Sequence, residues 1–166
     1  MKTIAIRCGA VALVVIVLTS PVNSQDAGPP GPADAPTGRY TYPAAGTAYD
    51  TKTQLTWQRE VPSVTYTWAD AKTHCFGAGA TLGGTGWRLP TMKELQTIVD
   101  ERLTWPKIDP IAFPGTPGPA PGAPAPDFWS SSLLAGSPSK AWFVDFQDGY
   151  SSYVDVTNVY YVRCVH

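Results

Sequence analysis

The sequence lacks an excess of positive charge. Its 12 Lys and Arg residues are matched by 13 Asp and Glu residues, and the formal net charge is −1 at pH 7. Nucleic-acid-binding proteins need a basic surface to neutralise phosphates. The composition therefore argues against a nucleic acid as partner, and against strong attraction to polyanions in general.

Groups that do chemistry are also scarce, with three Cys and two His residues. His74 and Cys75 are neighbours, and adjacent positions of a helix point about 100° apart, so they do not form a nucleophilic pair. No short C-x₂₋₄-C pair of the zinc-binding type occurs, and Gly83-Gly84 lacks the spacing of a phosphate loop. We therefore predict no catalytic residue, no metal ion and no cofactor.

Long hydrophobic runs are absent except near the N-terminus. The run Gly9–Leu18 is shorter than the ~20 residues that span a bilayer. Lys2 and Arg7 precede it, and Val22-Asn23-Ser24 offers the small residues of a cleavage site. This layout predicts a secretory signal peptide over residues 1–24, with an uncleaved anchor as the alternative. Cleavage would leave a net charge of −3 and no membrane span, in a protein that is periplasmic or extracellular.

Proline and glycine are abundant by contrast, at 17 and 15 residues. Residues 25–38 are rich in both and contain two collagen-like triplets, too few for a triple helix. We predict a semi-rigid linker there. A second tract, residues 114–126, is predicted to be a long surface loop. The remaining chain, residues 39–166, is predicted to form one domain.

The most informative stretch is Gly86–Leu95. Pro90 keeps the residue before it out of the helical region. Thr91 can cap the next helix, and Glu94 three residues later completes a capping box. The stretch therefore predicts a helix that starts at Thr91. Its apolar stripe consists of Met92, Leu95, Ile98 or Val99, and Leu103.

Two further residues of this stretch, Trp87 and Arg88, are predicted to be structural. Trp87 is a core residue. The guanidinium of Arg88 can pair with a carboxylate or bind loop carbonyls through its planar fork. Anion binding by Arg88 is the alternative that the sequence leaves open.

An earlier helix is predicted from Thr67, a plausible N-cap with Asp70 three residues later. Trp68, Ala71 and Cys75 then fall at positions i, i+3 and i+7. These positions share one helical face, which we expect to be buried.

The C-terminal third is predicted to form strands. Residues 142–146 alternate, Asp148-Gly149 is a hairpin turn signal, and strands over 153–156 and 160–165 follow. On the last strand, Tyr160, Val162 and Cys164 share one face. Two helices in a strand-rich chain without βαβ alternation predict an α+β fold with a small, twisted antiparallel sheet and long irregular loops.

The two cysteines outside the signal peptide are predicted to form one disulfide. An exported chain meets an oxidising compartment, so Cys75 and Cys164 should pair. The bridge would staple the first helix to the last strand, and the long loop it closes implies about 4–5 kcal/mol in the entropic treatment. Two free or metal-binding thiols are the alternative.

Three aspartates surround the predicted hairpin: Asp145, Asp148 and Asp155. We interpret them as a turn residue and two solvent-facing strand carboxylates. A site for a hard cation is the alternative, because carboxylate oxygens suit such ions.

Trp105, Lys107 and Tyr150 are the candidate ligand-binding residues. Trp105 and Lys107 lie beyond the second predicted helix, and Tyr150 follows the hairpin turn beside two serines. Exposed aromatic rings beside polar groups suit contacts with sugars or proteins. The alternative for Trp105 and Tyr150 is that they only cover the small core.

Several short motifs occur in a fixed order along the chain: Leu55-Thr56-Trp57-Gln58, Thr67-Trp68-Ala69-Asp70-Ala71 with Cys75, Gly86 to Leu95, Phe113-Pro114, Phe128-Trp129-Ser130-Ser131, Ala141-Trp142 and Tyr161-Val162-Arg163-Cys164-Val165. Together they resemble the Lcl C-terminal domain family, named after a bacterial collagen-like adhesin. The resemblance covers Gly38 to His166. It implies a lectin-like fold, trimeric assembly and binding of sulfated glycans, although this chain lacks a true collagen stalk.

The order of elements is also similar to the C-type lectin-like fold, in which a cysteine of the first helix pairs with one of the last strand. The Glu-Pro-Asn, Gln-Pro-Asp and Trp-Asn-Asp triplets of calcium-dependent lectins are missing, so that mode of sugar binding is not expected. Residues 87–91 resemble a stretch of formylglycine-generating enzymes. Their oxidase chemistry needs a reactive cysteine pair, whereas both cysteines here are expected to be structural.

The sequence therefore predicts a non-catalytic, exported binding or adhesion module. It would recognise a glycan or a cell-surface protein through its loops, and the family resemblance implies a homotrimer. A self-associating structural component of the envelope is the alternative. An oxidase similar to formylglycine-generating enzymes is a further one.

Overall fold

The structure is a computed structural model that describes residues 38–118 and 125–166. The predicted signal peptide, nearly all of the predicted linker and the centre of the second Pro/Gly tract lie outside the described residues. The elements in chain order are β1 (Tyr40–Thr41), β2 (Thr47–Asp50), β3 (Leu55–Gln58), α1 (Trp68–Gly77), α2 (Gly79–Leu82), α3 (Met92–Gln96), β4 (Asp127–Leu134), β5 (Ser137–Asp145) and β6 (Ser151–Asp155). The mixed α+β class is confirmed, but the strands form two three-stranded antiparallel sheets rather than one.

The first sheet has the order β1-β2-β3. Its centre is buried, with Ala48 of β2 opposite Trp57 of β3. The buried carboxylate of Asp50 accepts two bonds from the Arg39 guanidinium, at 3.1 and 2.8 Å, and one from the Thr53 hydroxyl at 2.9 Å. These bonds hold the turn between β2 and β3 and connect the start of the domain to it.

The second sheet has β5 at its centre, between β4 and β6. The pairing of β4 with β5 is irregular between Trp129 and Leu133. The turn predicted at Asp148-Gly149 connects β5 to β6. There the amide of Gly149 donates to the carbonyl of Asp145 at 2.9 Å, and Gly149 has φ of +78°, which favours glycine.

The first predicted helix is present as α1. The Thr67 hydroxyl accepts a bond from the Asp70 amide at 3.3 Å, and Ala71 and Cys75 are fully buried. The helix ends at Gly77, and the single turn α2 follows. Within residues 38–118 and 125–166, no helix has the length and apolar character needed to cross a bilayer.

The second predicted helix, α3, is shorter than its apolar stripe suggests. It ends at Gln96, so the prediction that it continues to Leu103 is wrong. The Asp100 carboxylate accepts a bond from the Arg102 amide at 3.1 Å, and the Asp100 amide donates to the carbonyl of Lys107 at 2.9 Å. Local side-chain bonds of this kind compete with helical bonding, and here the chain turns into a loop.

The last segment, residues 160–165, is not the regular strand that the sequence predicts. It forms isolated bridges with four parts of the domain: Tyr66 with Tyr160, Phe128 with Tyr161, and Val165 with both Trp57 and Arg88. Residues 162–165 are all buried, because elements pack on both sides of the segment. Arg163 and Val165 are thus as buried as Val162 and Cys164, the two residues that the sequence placed on one face with Tyr160.

Two clusters of buried hydrophobic side chains form the core. One surrounds Trp57, Phe113, Phe128 and Phe146. The other contains Cys75, Trp87, Trp129 and Cys164. The predicted disulfide is confirmed in this second cluster, where the sulfurs of Cys75 and Cys164 are 2.06 Å apart and both side chains are fully buried. It joins α1 to the last segment.

Arg163 of the last segment is a fully buried cation. Its guanidinium carbon lies 4.8 Å from the ring centre of Phe113 and 5.5 Å from that of Phe128. Nη1 donates to the carbonyl of Gln58 at 2.8 Å and to that of Arg59. Burial lowers the pKa of Arg163 to about 9, so the group stays charged at neutral pH and ties the last segment to the chain after β3.

Candidate functional site

The capping box predicted at Thr91 and Glu94 is present at the start of α3. The Glu94 amide donates to the Thr91 hydroxyl at 3.2 Å, and the Thr91 amide donates to the Glu94 carboxylate at 2.8 Å. The same carboxylate accepts two bonds from the Arg88 guanidinium, at 2.8 and 2.7 Å. The Arg88 bonds are the main reason that the pKa of Glu94 falls to about 2.

The residues before the helix are held from two sides. Trp87 is almost fully buried, and its Nε1 donates to the carbonyl of Gly83 at 2.7 Å. Arg88 and Val165 exchange two backbone bonds of 2.9 Å, and the Ser131 amide donates to the carbonyl of the buried Pro90 at 2.7 Å. The stretch is therefore fixed between the last segment and β4.

An open groove lies beside this fixed stretch, between α1 and β4. Its volume is about 390 Å³. We call it the Phe76 groove and define it by its lining residues, which are Lys72, Phe76, Trp87, Arg88, Leu89, Thr91 and Ser131. Pockets of this size, with aromatic and aliphatic walls and a few polar groups, are typical of binding sites.

Phe76 is the most exposed large hydrophobic side chain of the described residues, at 86%. It lies on α1 one position after the buried Cys75, so it projects about 100° away from the face that packs on the core. Phe76 is not among the residues that the sequence predicts to bind a ligand. The sequence does contain one indication: Phe76 falls outside the helical face that Ala71 and Cys75 share, so it is not expected to pack on the core.

Two cations border the groove. The Lys72 ammonium lies 4.0 Å from the ring centre of Trp68, whose Nε1 donates to the carbonyl of Ser130 at 2.8 Å. Arg88, on the other side, is bonded to Glu94 and stays partly exposed. The groove therefore combines apolar walls with positively charged edges, which allows stacking on a ring and hydrogen bonding to oxygen acceptors.

The candidate ligand-binding residues Trp105, Lys107 and Tyr150 lie away from the Phe76 groove. The Lys107 amide donates to the carbonyl of Phe146, and its ammonium pairs with Glu101 at 2.6 Å. This brings the loop that carries Lys107 against the turn that precedes Tyr150. Trp105 and Tyr150 are both partly exposed, but among the described residues no ring contact joins them. Their role in binding stays a prediction.

The aspartates around the hairpin differ from expectation in one respect. Asp145 is not solvent-facing: it is only 4% exposed, and its carboxylate accepts a bond from the Gln147 amide at 2.6 Å. It is buried because it lies at the end of the central strand β5, where the last three residues are all buried. Asp155 on the edge strand is exposed. In the part of the chain that the structure describes, no three His, Cys, Asp or Glu residues are grouped as metal ligands.

The family comparison agrees with the features described above. The model of the Lcl C-terminal domain matches residues 46–166, which contain both sheets except β1, all helices and the disulfide. Among curated proteins, none matches this chain. Because the match covers most of the chain, the protein belongs to the Lcl C-terminal domain family.

Proposed function

We propose that this domain is a non-catalytic binding module of an exported bacterial protein and that it binds a glycan in the Phe76 groove. Membership of the Lcl C-terminal domain family supports an association with the bacterial surface and with adhesins. The buried Cys75–Cys164 disulfide is consistent with folding in an oxidising compartment outside the cytoplasm.

The exposure of Phe76 is the observation that carries the proposal. A phenylalanine ring left 86% exposed contributes little to folding, because it removes almost no apolar surface from water. At the edge of a groove it offers a flat face for the C–H face of a sugar ring. Arg88 and Lys72 stand beside it as donors to sugar oxygens.

The C-type lectin-like arrangement is part of the same proposal. A cysteine of the first long helix is bonded to a cysteine of the last segment, and irregular loops connect the two sheets. This order of elements supports the comparison with lectin-like domains. The absence of the calcium-binding triplets from the sequence supports a calcium-independent mode of binding.

A glycan array probed with the disulfide-bonded chain tests the proposal, followed by calorimetry on the glycans that bind. Phe76→Ala should weaken binding at least tenfold, or about 1.4 kcal/mol. Ile111→Ala is the matched control, because Ile111 is also exposed, at 50%, but does not line the groove. Equal loss in both variants, or no loss in Phe76→Ala, would contradict the proposal.

Self-association in an envelope structure is the second candidate function, since a second copy would also cover the exposed Phe76 ring. Light scattering at high concentration separates the two candidates. A monomer that binds glycans supports the first, whereas an oligomer that Phe76→Ala dissociates supports the second.

An oxidase similar to formylglycine-generating enzymes would need a reactive cysteine pair. The bond between the buried Cys75 and Cys164 speaks against that candidate and supports a non-catalytic module. Quantification of free thiols in the purified chain tests this point. A substantial fraction of free thiols in the folded protein would restore the oxidase as a candidate function.

A further inference from the structure

The opposite side of α1 borders a second cleft. Two adjoining cavities, of about 520 and 130 Å³, share Thr65 and Val159 as walls. We call them together the Thr65 cleft. Asp70 and His74 of α1 line its larger part. Lys72, which lines the Phe76 groove, is two positions from each of them and thus lies about 160° away around the helix.

The walls of the Thr65 cleft are rich in hydroxyl groups and poor in positive charge. Thr65, Thr67 and Thr73 line the larger cavity, together with the ring of Tyr66. Asp127 and Tyr160 line the smaller one. Among the described residues, no Lys or Arg lines either cavity. The chemistry is therefore opposite to that of the Phe76 groove, which has cations at its edges.

Within residues 38–118 and 125–166, Asp127 has no counter-ion. It lies on β4 directly opposite Asp145 of β5, and its buried Oδ1 has no hydrogen-bond partner among the described residues. Burial and the neighbouring Asp145 raise the pKa of Asp127 to about 6. Ionisation of this carboxylate near pH 7, without a cation beside it, costs free energy in the folded protein. A buried polar group without a partner therefore needs an explanation, and binding of a ligand is one.

His74 in the larger cavity supplies no compensating charge. Its ring centre lies 4.6 Å from that of Tyr66, and its Nε2 is buried without a hydrogen-bond partner. Burial lowers the pKa of His74, so the imidazole is neutral at pH 7. At pH 7 the described walls of the Thr65 cleft therefore present hydroxyls, aromatic rings and carboxylates, with no positive group among them to repel a cation.

We propose that the Thr65 cleft binds a sugar that carries a free amino group, with its ammonium at Asp127 and a hydroxyl at Thr65, which lines the same cavity. A sulfated or carboxylated sugar would be repelled by Asp70 and Asp127. A neutral sugar would bond to the Thr65 hydroxyl but would leave Asp127 without a cation. The site is separate from the Phe76 groove, so this inference goes beyond the glycan site proposed there.

Calorimetry at about pH 7 with two probes tests the inference: a glucosamine trisaccharide with free amines and its fully N-acetylated form. The disulfide-bonded chain should bind the first at least tenfold more tightly, because acetylation removes the positive charge. Equal affinity for the two sugars, or no binding of either, would overturn the inference.

Asp127→Asn should weaken binding of the amine-bearing trisaccharide at least tenfold. Asp155→Asn is the matched control, because it makes the same charge change on the exposed edge strand and should leave affinity unchanged. Thr65→Val, at an exposed cleft position, should also reduce affinity and does not depend on the tolerance of Asp127 to substitution. Affinity unchanged in both cleft variants would refute the site.

Phe76→Ala should leave the affinity for the amine-bearing trisaccharide unchanged. This variant separates a failure of the Thr65 cleft from a failure of the Phe76 groove.

The pH dependence provides a further readout. Binding of the amine-bearing sugar should fall from pH 7 to pH 5, because Asp127 with a pKa of about 6 is then mostly protonated. The other titratable groups that face Asp127 are Asp145, Tyr150 and Tyr160, and His74 lines the adjoining cavity. Both tyrosines have a raised pKa and stay neutral over this range. Affinity that rises toward pH 5 would contradict the assignment of Asp127.

Discussion

The substitution Asp127→Asn should stabilise the protein at neutral pH. Asp127 and Asp145 are register partners in β4 and β5, and burial together with this repulsion raises the pKa of Asp127 from 3.8 to about 6. One pKa unit corresponds to ~1.4 kcal/mol, which gives an upper figure of ~3 kcal/mol. Because Asp127 keeps some contact with solvent, we expect ~1–2 kcal/mol. Asparagine keeps the shape of the side chain, removes its charge and adds a donor.

The sign of the pH dependence follows from the raised pKa. The folded state binds more protons than the unfolded state between about pH 4 and pH 6, so the wild-type protein loses this part of its stability as the pH rises through that window. Above pH 7 the carboxylate is ionised in both states, and its full cost applies. The advantage of Asp127→Asn should therefore be largest above pH 7 and absent near pH 4.

Urea denaturation of both proteins from pH 4 to pH 8 measures this difference. Asp155→Asn is the control with the opposite sign. Bonds from Thr157 lower the pKa of Asp155, so its negative charge stabilises the folded protein at neutral pH. Removing that charge should therefore make the variant less stable than wild type as the pH rises. A variant Asp127→Asn that is less stable than wild type at pH 7, or whose advantage does not change with pH, would refute the reasoning.

Three further predictions concern stability. Cys164→Ser should lower the free energy of unfolding by about 2–5 kcal/mol in urea, and an unchanged midpoint would mean that the disulfide does not act as a staple. Glu94→Gln should cost roughly 1 kcal/mol at pH 7 and progressively less as the pH falls from about 4.5 through 2, because the depressed pKa of Glu94 means that its bonds with Arg88 weaken only in that range. Arg163→Ala should cost about 3–5 kcal/mol by thermal or urea unfolding, since it leaves buried carbonyls unbonded and a cavity, and Arg163→Met should cost less.

The features that the sequence predicted well depend on residues close together in the chain. The N-cap at Thr67, the capping box of Thr91 with Glu94, and the turn at Asp148-Gly149 each involve at most five consecutive residues. The disulfide is an exception, since 89 positions separate its cysteines. It was predictable because only two cysteines remained once the predicted signal peptide was set aside.

The features that the sequence did not predict depend on distant parts of the chain. Asp145 is buried because β5 lies between β4 and β6. Arg163 is buried where its guanidinium bonds to a backbone carbonyl more than 100 positions earlier in the chain. The length of α3 was overestimated because its apolar stripe continues into a loop. Phe76 was missed because an exposed phenylalanine on a helix resembles, in sequence, one that packs on the core.

The path of the last segment has a consequence for how the domain folds. The amides and carbonyls of residues 160–166 bond to residues 56, 58, 66, 88, 127 and 129, so they connect almost every earlier part of the domain. Neither core cluster is complete without them, because Val165 belongs to one cluster and Val162 and Cys164 belong to the other. The two sheets and α1 therefore depend on the same few residues for their final packing. We expect the domain to unfold in one cooperative transition, in which both clusters are lost together.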